Sequence, residues 1–300
     1  MADFGIHALV WETVWTPDAI KRAMAQTAET GFGMIEVVIF DPSEARADLT
    51  AKALADNGLS GVVGMALNAN ADISSADPAI ADAGETLISD ALAATRDMGL
   101  TKLGGVTHSA MQRYLSACDS DAPKRIRDTY GRLAERARQL GVQLGVEAVN
   151  RYESNVVNTV EDAASIVREV DPAALFAHID TYHMNIEEHD VSDAIRRNID
   201  VIGHVHIGES HRGYLGSGSV DFAQTFRALA AANYDGPIVF EAFSPGILNA
   251  DVSDALAAWT THWSDSSSLA KNALVFMQGQ HAAAEKSLVN RSVLARRTAI

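Results

Sequence analysis

Four apolar runs in the second half of the chain each end on one residue able to bind a metal. Val142–Val146 leads to Glu147, Leu175–Ile179 to Asp180, Val201–Val205 to His206 and Ile238–Phe240 to Glu241. The four end residues are 33, 26 and 35 positions apart. A closed barrel of eight parallel strands, each followed by a helix, spends roughly 30 residues on each unit and keeps its active site at the C-terminal strand ends. The spacing therefore predicts a single (β/α)8 TIM barrel with the four residues around its mouth. An ionised carboxylate at the end of a buried strand is costly unless something positive compensates it. Three carboxylates and one imidazole suit one divalent cation, Mn²⁺, Co²⁺ or Mg²⁺, better than a thiolate metal site would. The bland alternative is four unrelated polar residues, each satisfied locally; their common spacing and common position at strand ends speak against it.

The rest of the chain supplies the other strands and the helices between them. Phe4–Val10, Met34–Phe40, Gly61–Leu67 and Lys102–Val106 read as the first four strands. Thr16-Pro17 opens a helix that Gly31 ends, a second runs from about Ser43 to Asn57, and a third from Ala79 to Met98. Pro123–Leu140 is a helix stopped by Gly141, and Thr159-Val-Glu-Asp162 resembles a capping box before the next. Asp193–Asn198 reads as a short helix, and Asp221 caps another after the glycine-rich loop Gly208–Gly218. Extra C-terminal helices are expected near Asp251–Trp263 and Ser268–Gln280. No linker or composition shift divides the chain, so 1–300 reads as one domain. Residues 281–300, with Arg291, Arg296 and Arg297, form a C-terminal extension, read as a solvated helix or a loose tail.

Composition limits the partners. Net charge is −15 over 300 residues, which argues against nucleic acid and anionic membranes. A lone cysteine, Cys118, excludes an internal disulfide and fits a reducing compartment. No leader-like start and no run of 18 apolar residues is visible, so a cytoplasmic location is expected. His178 and His204 each lie two residues before a ligand candidate and point the same way but deeper, as core histidines. Glu36 is placed at the mouth of the second strand in a structural role. Gly216-Ser-Gly-Ser lacks a following Lys and reads as a flexible turn rather than a phosphate cradle.

Four longer stretches carry a family resemblance: Val146-Glu-Ala-Val-Asn-Arg-Tyr-Glu153, Asp180-Thr-Tyr-His-Met-Asn-Ile-Glu-Glu188, His206-Ile-Gly-Glu-Ser-His-Arg212 and Gly216-Ser-Gly-Ser-Val-Asp-Phe222. Together they resemble the ketose 3-epimerases, sugar isomerases on a xylose-isomerase-like barrel. Ser-His-Arg-Gly after His-Ile-Gly-Glu is most similar to the L-ribulose 3-epimerase branch. The resemblance implies one divalent metal, usually Mn²⁺ or Co²⁺, on Glu147, Asp180, His206 and Glu241, with Glu147 and Glu241 as the acid/base residues. It implies that Glu153, His183 and Arg212 hold the O1 to O3 end of the ketose. Trp15 and Phe243 match an apolar wall near the other end, where His7 departs from the aromatic of the tagatose enzyme. It also implies a homodimer or homotetramer, with L-ribulose, D-tagatose and D-allulose/D-fructose as substrates.

The residues support part of that chemistry independently. The C3–H beside a ketose carbonyl is a weak acid, and a cation at O2 and O3 would polarise the carbonyl for a nearby carboxylate base. Inversion needs a second acid on the opposite face. Strands five and eight are three apart in a ring of eight, which sets Glu147 and Glu241 across the mouth from each other. Three rivals remain at this level: an aldose–ketose 1,2-isomerase, a barrel nuclease, and a sugar-binding barrel without turnover.

Overall fold

A computed structural model of the chain describes residues 4–298. Eight parallel strands close into a barrel in chain order: β1 (Phe4–His7), β2 (Met34–Val38), β3 (Ser60–Leu67), β4 (Lys102–Ala110), β5 (Gln143–Glu147), β6 (Leu175–Asp180), β7 (Ile202–Ile207) and β8 (Ile238–Phe240). Around them lie α1 (Pro17–Thr30), α2 (Ala47–Asp56), α3 (Pro78–Asp97), α4 (Ala122–Leu140), α5 (Val160–Val170), α6 (Thr181–Glu187), α7 (Val191–Asn198) and α8 (Phe222–Ala231). The short α9 (Ala250–Ala255) and the long α10 (Ser266–Thr298) follow the last strand. Among the described residues no helix is long and apolar enough to cross a membrane.

The strands read as continuous apolar runs because a parallel sheet wrapped by helices is buried on both faces. Ile6, Ile35, Leu103, Leu144, Ile179 and Val205 have no measurable exposure. Each such side chain contributes about 1.5–3 kcal/mol relative to leaving it in water. Register then carries polar groups to a common level: Asp180 pairs with His206 and Glu147 with His178. One glycine is required by the strand packing. Gly105 has φ of 104°, and a Cβ there would collide with the Met65 carbonyl across β3 and β4.

The capping signals operate as written. Thr16 accepts the Ala19 N–H at 3.3 Å ahead of Pro17, Gly31 and Gly141 take left-handed conformations at helix ends, and Thr159 and Asp162 form a reciprocal capping box. Elsewhere the boundaries move. The helix expected from Ser43 is broken by Arg46 at φ of 48°, leaving a short 3-10 turn, Pro42–Glu44, before α2. The fourth strand runs past Val106 to Ala110. The stretch near Asp251–Trp263 is helical only to Ala255, and Ala257 at φ of 50° turns the chain out. The helix expected over Ser268–Gln280 and the extension from 281 form one continuous helix, α10, through Thr298. The side chains of Arg291, Arg296 and Arg297 lie outside the described residues.

Candidate active site

Glu147 is the last residue of β5, Asp180 the last of β6, His206 lies one residue before the end of β7, and Glu241 immediately follows β8. All four are buried, between 0 and 6 % exposed. Ligand atoms of Glu147, Asp180 and His206 lie within 4.8 Å of one another. Glu241 joins them, with Oε1 3.3 Å from His206 Nδ1, and Glu147 Oε1 is 3.8 Å from the same nitrogen.

The protonation pattern of His206 explains what this cluster is fit to hold. Its Nε2 lies 2.6 Å from Glu36 Oε2, a carboxylate held well below the usual range: burial alone would raise it, but His206 and His204 outweigh burial. An ionised carboxylate only accepts, so Nε2 carries the proton. Nδ1 is then left buried, without a hydrogen-bond partner among the described residues, facing carboxylates. A ring nitrogen that can exchange its proton for a cation, with three acid groups around one point, fits a divalent site. Burial also pushes Glu147 well above its ordinary pKa; His206 opposes this, while Glu241 and Asp180 reinforce it. This crowding of like charge is what a bound cation relieves.

A second group, His178, His204 and His206, also has ligand atoms within 4.8 Å. Each ring has one nitrogen in a hydrogen bond and one, His178 Nε2, His204 Nδ1 or His206 Nδ1, without a partner among the described residues. His178 Nδ1 accepts the Gly105 N–H at 3.2 Å, and His204 Nε2 donates to Glu36 at 2.8 Å. The free nitrogen of His178 carries its proton, and no member of this group brings negative charge to a cation, so the carboxylate set is the better candidate.

Arg212 and His183 close one side of the cluster. Arg212 Nη1 donates to Asp180 Oδ2 at 2.8 Å and to Glu241 Oε2, and its guanidinium stacks on Tyr182, 3.6 Å from the ring centre. His183 Nδ1 accepts the Asn150 backbone N–H at 3.1 Å, which places its proton on Nε2. That N–H points among Asp180, Glu147 and Glu153, at 3.6, 3.9 and 4.0 Å. Burial holds His183 down to about 3, so it is a neutral donor near pH 7. Asn150 also donates to Glu153 Oε1 at 2.8 Å, and burial, opposed by Arg212, raises the Glu153 pKa.

On the other side lies a cavity of about 410 Å³, lined by His7, Glu36, Glu147, His206, Glu241 and Phe243 together with apolar residues. His7 Nδ1 accepts the Leu9 N–H at 3.3 Å, its Nε2 is 3.7 Å from Glu241, and its ring meets Phe243 edge-on with centres 5.5 Å apart. Burial lowers His7 to about 3, so it too is neutral. Trp15 is not brought into this cavity. Its Nε1 donates to Thr50 at 3.0 Å, and the ring lines an adjoining cavity of about 320 Å³.

Sequence reasoning did not find the outer wall, Val252, Ala255 and Leu256 on and after α9, nor the weight carried by Glu36. Glu36 lies within β2 rather than at its mouth, and a lone acid between the buried Ile35 and Val37 is the available signal. Glu209 was also passed over. Its carboxylate accepts backbone N–H groups of Ser210, Gly216 and Val220 at 2.8, 2.9 and 3.3 Å, and so orders the glycine-rich loop that contains Arg212. Burial raises the Glu209 pKa, but these N–H groups bring it below the ordinary value. Glu209→Ala is expected to destabilise the protein by about 1–3 kcal/mol in urea unfolding, because donors lose their acceptor.

Comparison with known proteins agrees with this barrel. The family model of xylose isomerase-like TIM barrels matches residues 24–263. A ketose 3-epimerase of Arthrobacter globiformis is 39% identical over 91% of this chain and 95% of its own. An L-ribulose 3-epimerase of Mesorhizobium japonicum is 40% identical over 92% of this chain and 93% of its own. The crystal structure of a D-allulose 3-epimerase from Methylomonas sp. in complex with D-allulose superposes with a TM-score of 0.90 at 38% identity, covering 93% of this chain and 97% of that one. The barrel and its mouth therefore define a sugar-isomerase type of enzyme. Within that class the chain belongs to the ketose 3-epimerase family.

Proposed function

We propose that the protein epimerises free ketoses at C3, with one divalent cation on Glu147, Asp180, His206 and Glu241, and with Glu147 and Glu241 as the proton carriers. The observation that carries this reading is the buried Nδ1 of His206, without a hydrogen-bond partner among the described residues and close to the carboxylates of Glu147 and Glu241. The cation, when bound, supplies Lewis-acid polarisation of the C2 carbonyl. One glutamate takes the C3 proton, and the electron pair of the C–H bond moves into the C2–C3 bond as O2 gains negative charge. The glutamate on the opposite face then delivers its proton to C3, the carbonyl re-forms, and the configuration is inverted. His183 Nε2–H and Arg212 are donors suited to sugar oxygens next to the reacting carbon, and Glu153 is an acceptor beside them. The apolar wall with His7 and Phe243 suits the far end of the sugar, where few directed polar groups favour breadth. L-ribulose is the favoured substrate, with D-tagatose and D-allulose/D-fructose also accepted, and Mn²⁺ the favoured cation.

Chelator-treated protein is expected to be inactive and to recover with Mn²⁺ or Co²⁺. A panel of pentuloses and hexuloses, separated chromatographically, should then yield C3 epimers. Full activity after chelation, or action confined to a phosphorylated sugar, would overturn the reading. Aldoses as the main products would make the protein a 1,2-isomerase instead.

A further inference from the structure

Below the candidate ligands the barrel holds a polar layer that neither the cation set nor the proton carriers use. Glu36 on β2 and His204 on β7 are 1 % and 2 % exposed. Both His206 Nε2, at 2.6 Å, and His204 Nε2, at 2.8 Å, donate to the same oxygen, Glu36 Oε2. That oxygen can only accept from two imidazole N–H groups, so it dictates which nitrogen of His206 is left to meet a cation, giving up any proton it holds. The free nitrogen is Nδ1, the one facing Glu147 and Glu241. The space for the carboxylate is also specific. Gly64 on β3 lies alongside, and a Cβ there would collide with Glu36 Oε1.

We propose that Glu36 is a positioning residue for the metal centre. It locks the His206 ring as the Nε2–H form and presents Nδ1 to the cation. His204 donates to the same carboxylate oxygen, and Gly64 leaves room for the other oxygen. The inference rests on the cation reading given above. A carboxylate behind a metal-bound imidazole fixes its orientation and raises its basicity, and loss of such a partner commonly costs about 10–100-fold in metal affinity. Glu36 is not one of the four proposed ligands, and the effect argued here reaches the cation through its bond to His206.

The test is calorimetric titration of metal-free protein with Mn²⁺, for the parent and for Glu36→Gln, Glu36→Leu and Gly64→Ala. Visible spectra of the Co²⁺-loaded proteins are recorded alongside. Glu36→Gln should bind Mn²⁺ about 10–100-fold more weakly, and Glu36→Leu at least as weakly. Gly64→Ala should also weaken binding, although it alters none of the four ligands. The Co²⁺ bands should shift, because the imidazole is no longer held at one angle. A residue that merely fills the core would lower the unfolding temperature and leave the affinity and the Co²⁺ bands unchanged. A folded Glu36→Gln that binds within about twofold of the parent, with the parent's spectrum, overturns the proposal. Should Glu36→Leu not fold, Glu36→Gln and Gly64→Ala decide. A parent that takes up neither ion refutes the cation reading, and this inference with it, in the parent titration alone.

Discussion

Replacing either Glu147 or Glu241 by Gln is expected to slow C3 epimerisation by about 10²–10⁴-fold, the range general acid–base groups contribute. Gln keeps the shape of the side chain and an oxygen for the cation, but cannot carry the proton. The two acids stand on either side of His206, each only 6 % exposed. Burial, with Glu241 and Asp180 nearby, raises the proton affinity of Glu147. A raised pKa suits a group that must hold a proton between steps, and it offsets the lowering that a bound cation imposes. In D₂O the parent should therefore produce an epimer labelled at C3 and unlabelled at C1. Each Gln variant should lose inversion in both directions, because each direction needs one acid to remove and the other to deliver. Circular dichroism and Mn²⁺ titration would establish that the variants are folded and loaded. A loaded variant that epimerises at nearly the parent rate would contradict the two-acid scheme, and label at C1 would contradict the reaction assigned.

The barrel and the four-residue cluster were legible because a strand buried on both faces is an unbroken apolar word, and a single acid or histidine at its end is conspicuous. The capping signals at Thr16 and Thr159 were legible because they are local. What was missed depends on distant neighbours. Glu36 takes its meaning from His204 and His206, about 170 residues away and across the barrel. Helix α6 was missed because its N-cap is Asp180, read only as a ligand; Oδ1 accepts the Tyr182 N–H at 2.8 Å while Oδ2 faces Arg212. The wall from α9 follows the last strand, and nothing local shows that Val252 and Leu256 turn back over the mouth. For Trp15 the deciding contact is Thr50, on the next helix, which holds the indole over the adjoining cavity.

Loss of His206 should have two effects that separate its role as ligand from its role as counter-charge. His206→Ala is expected to weaken Mn²⁺ binding by more than the ~10–100-fold typical of an outer partner, and to abolish epimerisation. It should also destabilise the metal-free protein by about 3–5 kcal/mol, the usual cost of removing one partner from a buried charge pair. The reason lies in the imidazole's surroundings. Burial alone would lower its pKa, but Glu36, Glu241 and Glu147 together raise it well above 6.5. In the metal-free protein His206 is thus an imidazolium among acids. A group raised on folding stabilises fully below its unfolded pKa, and that contribution fades as pH rises through the folded value. The stability gap between parent and variant should therefore be widest below about pH 6.5 and narrow in alkali. Binding of Mn²⁺ by the parent must displace the Nδ1 proton, so calorimetry in buffers of different ionisation enthalpy should register proton release. His206→Ala has no such proton to lose, and its residual binding should release fewer. A variant as stable as the parent at every pH would show that the imidazole bears no charge in the metal-free protein. Unchanged Mn²⁺ affinity would remove it from the ligand set.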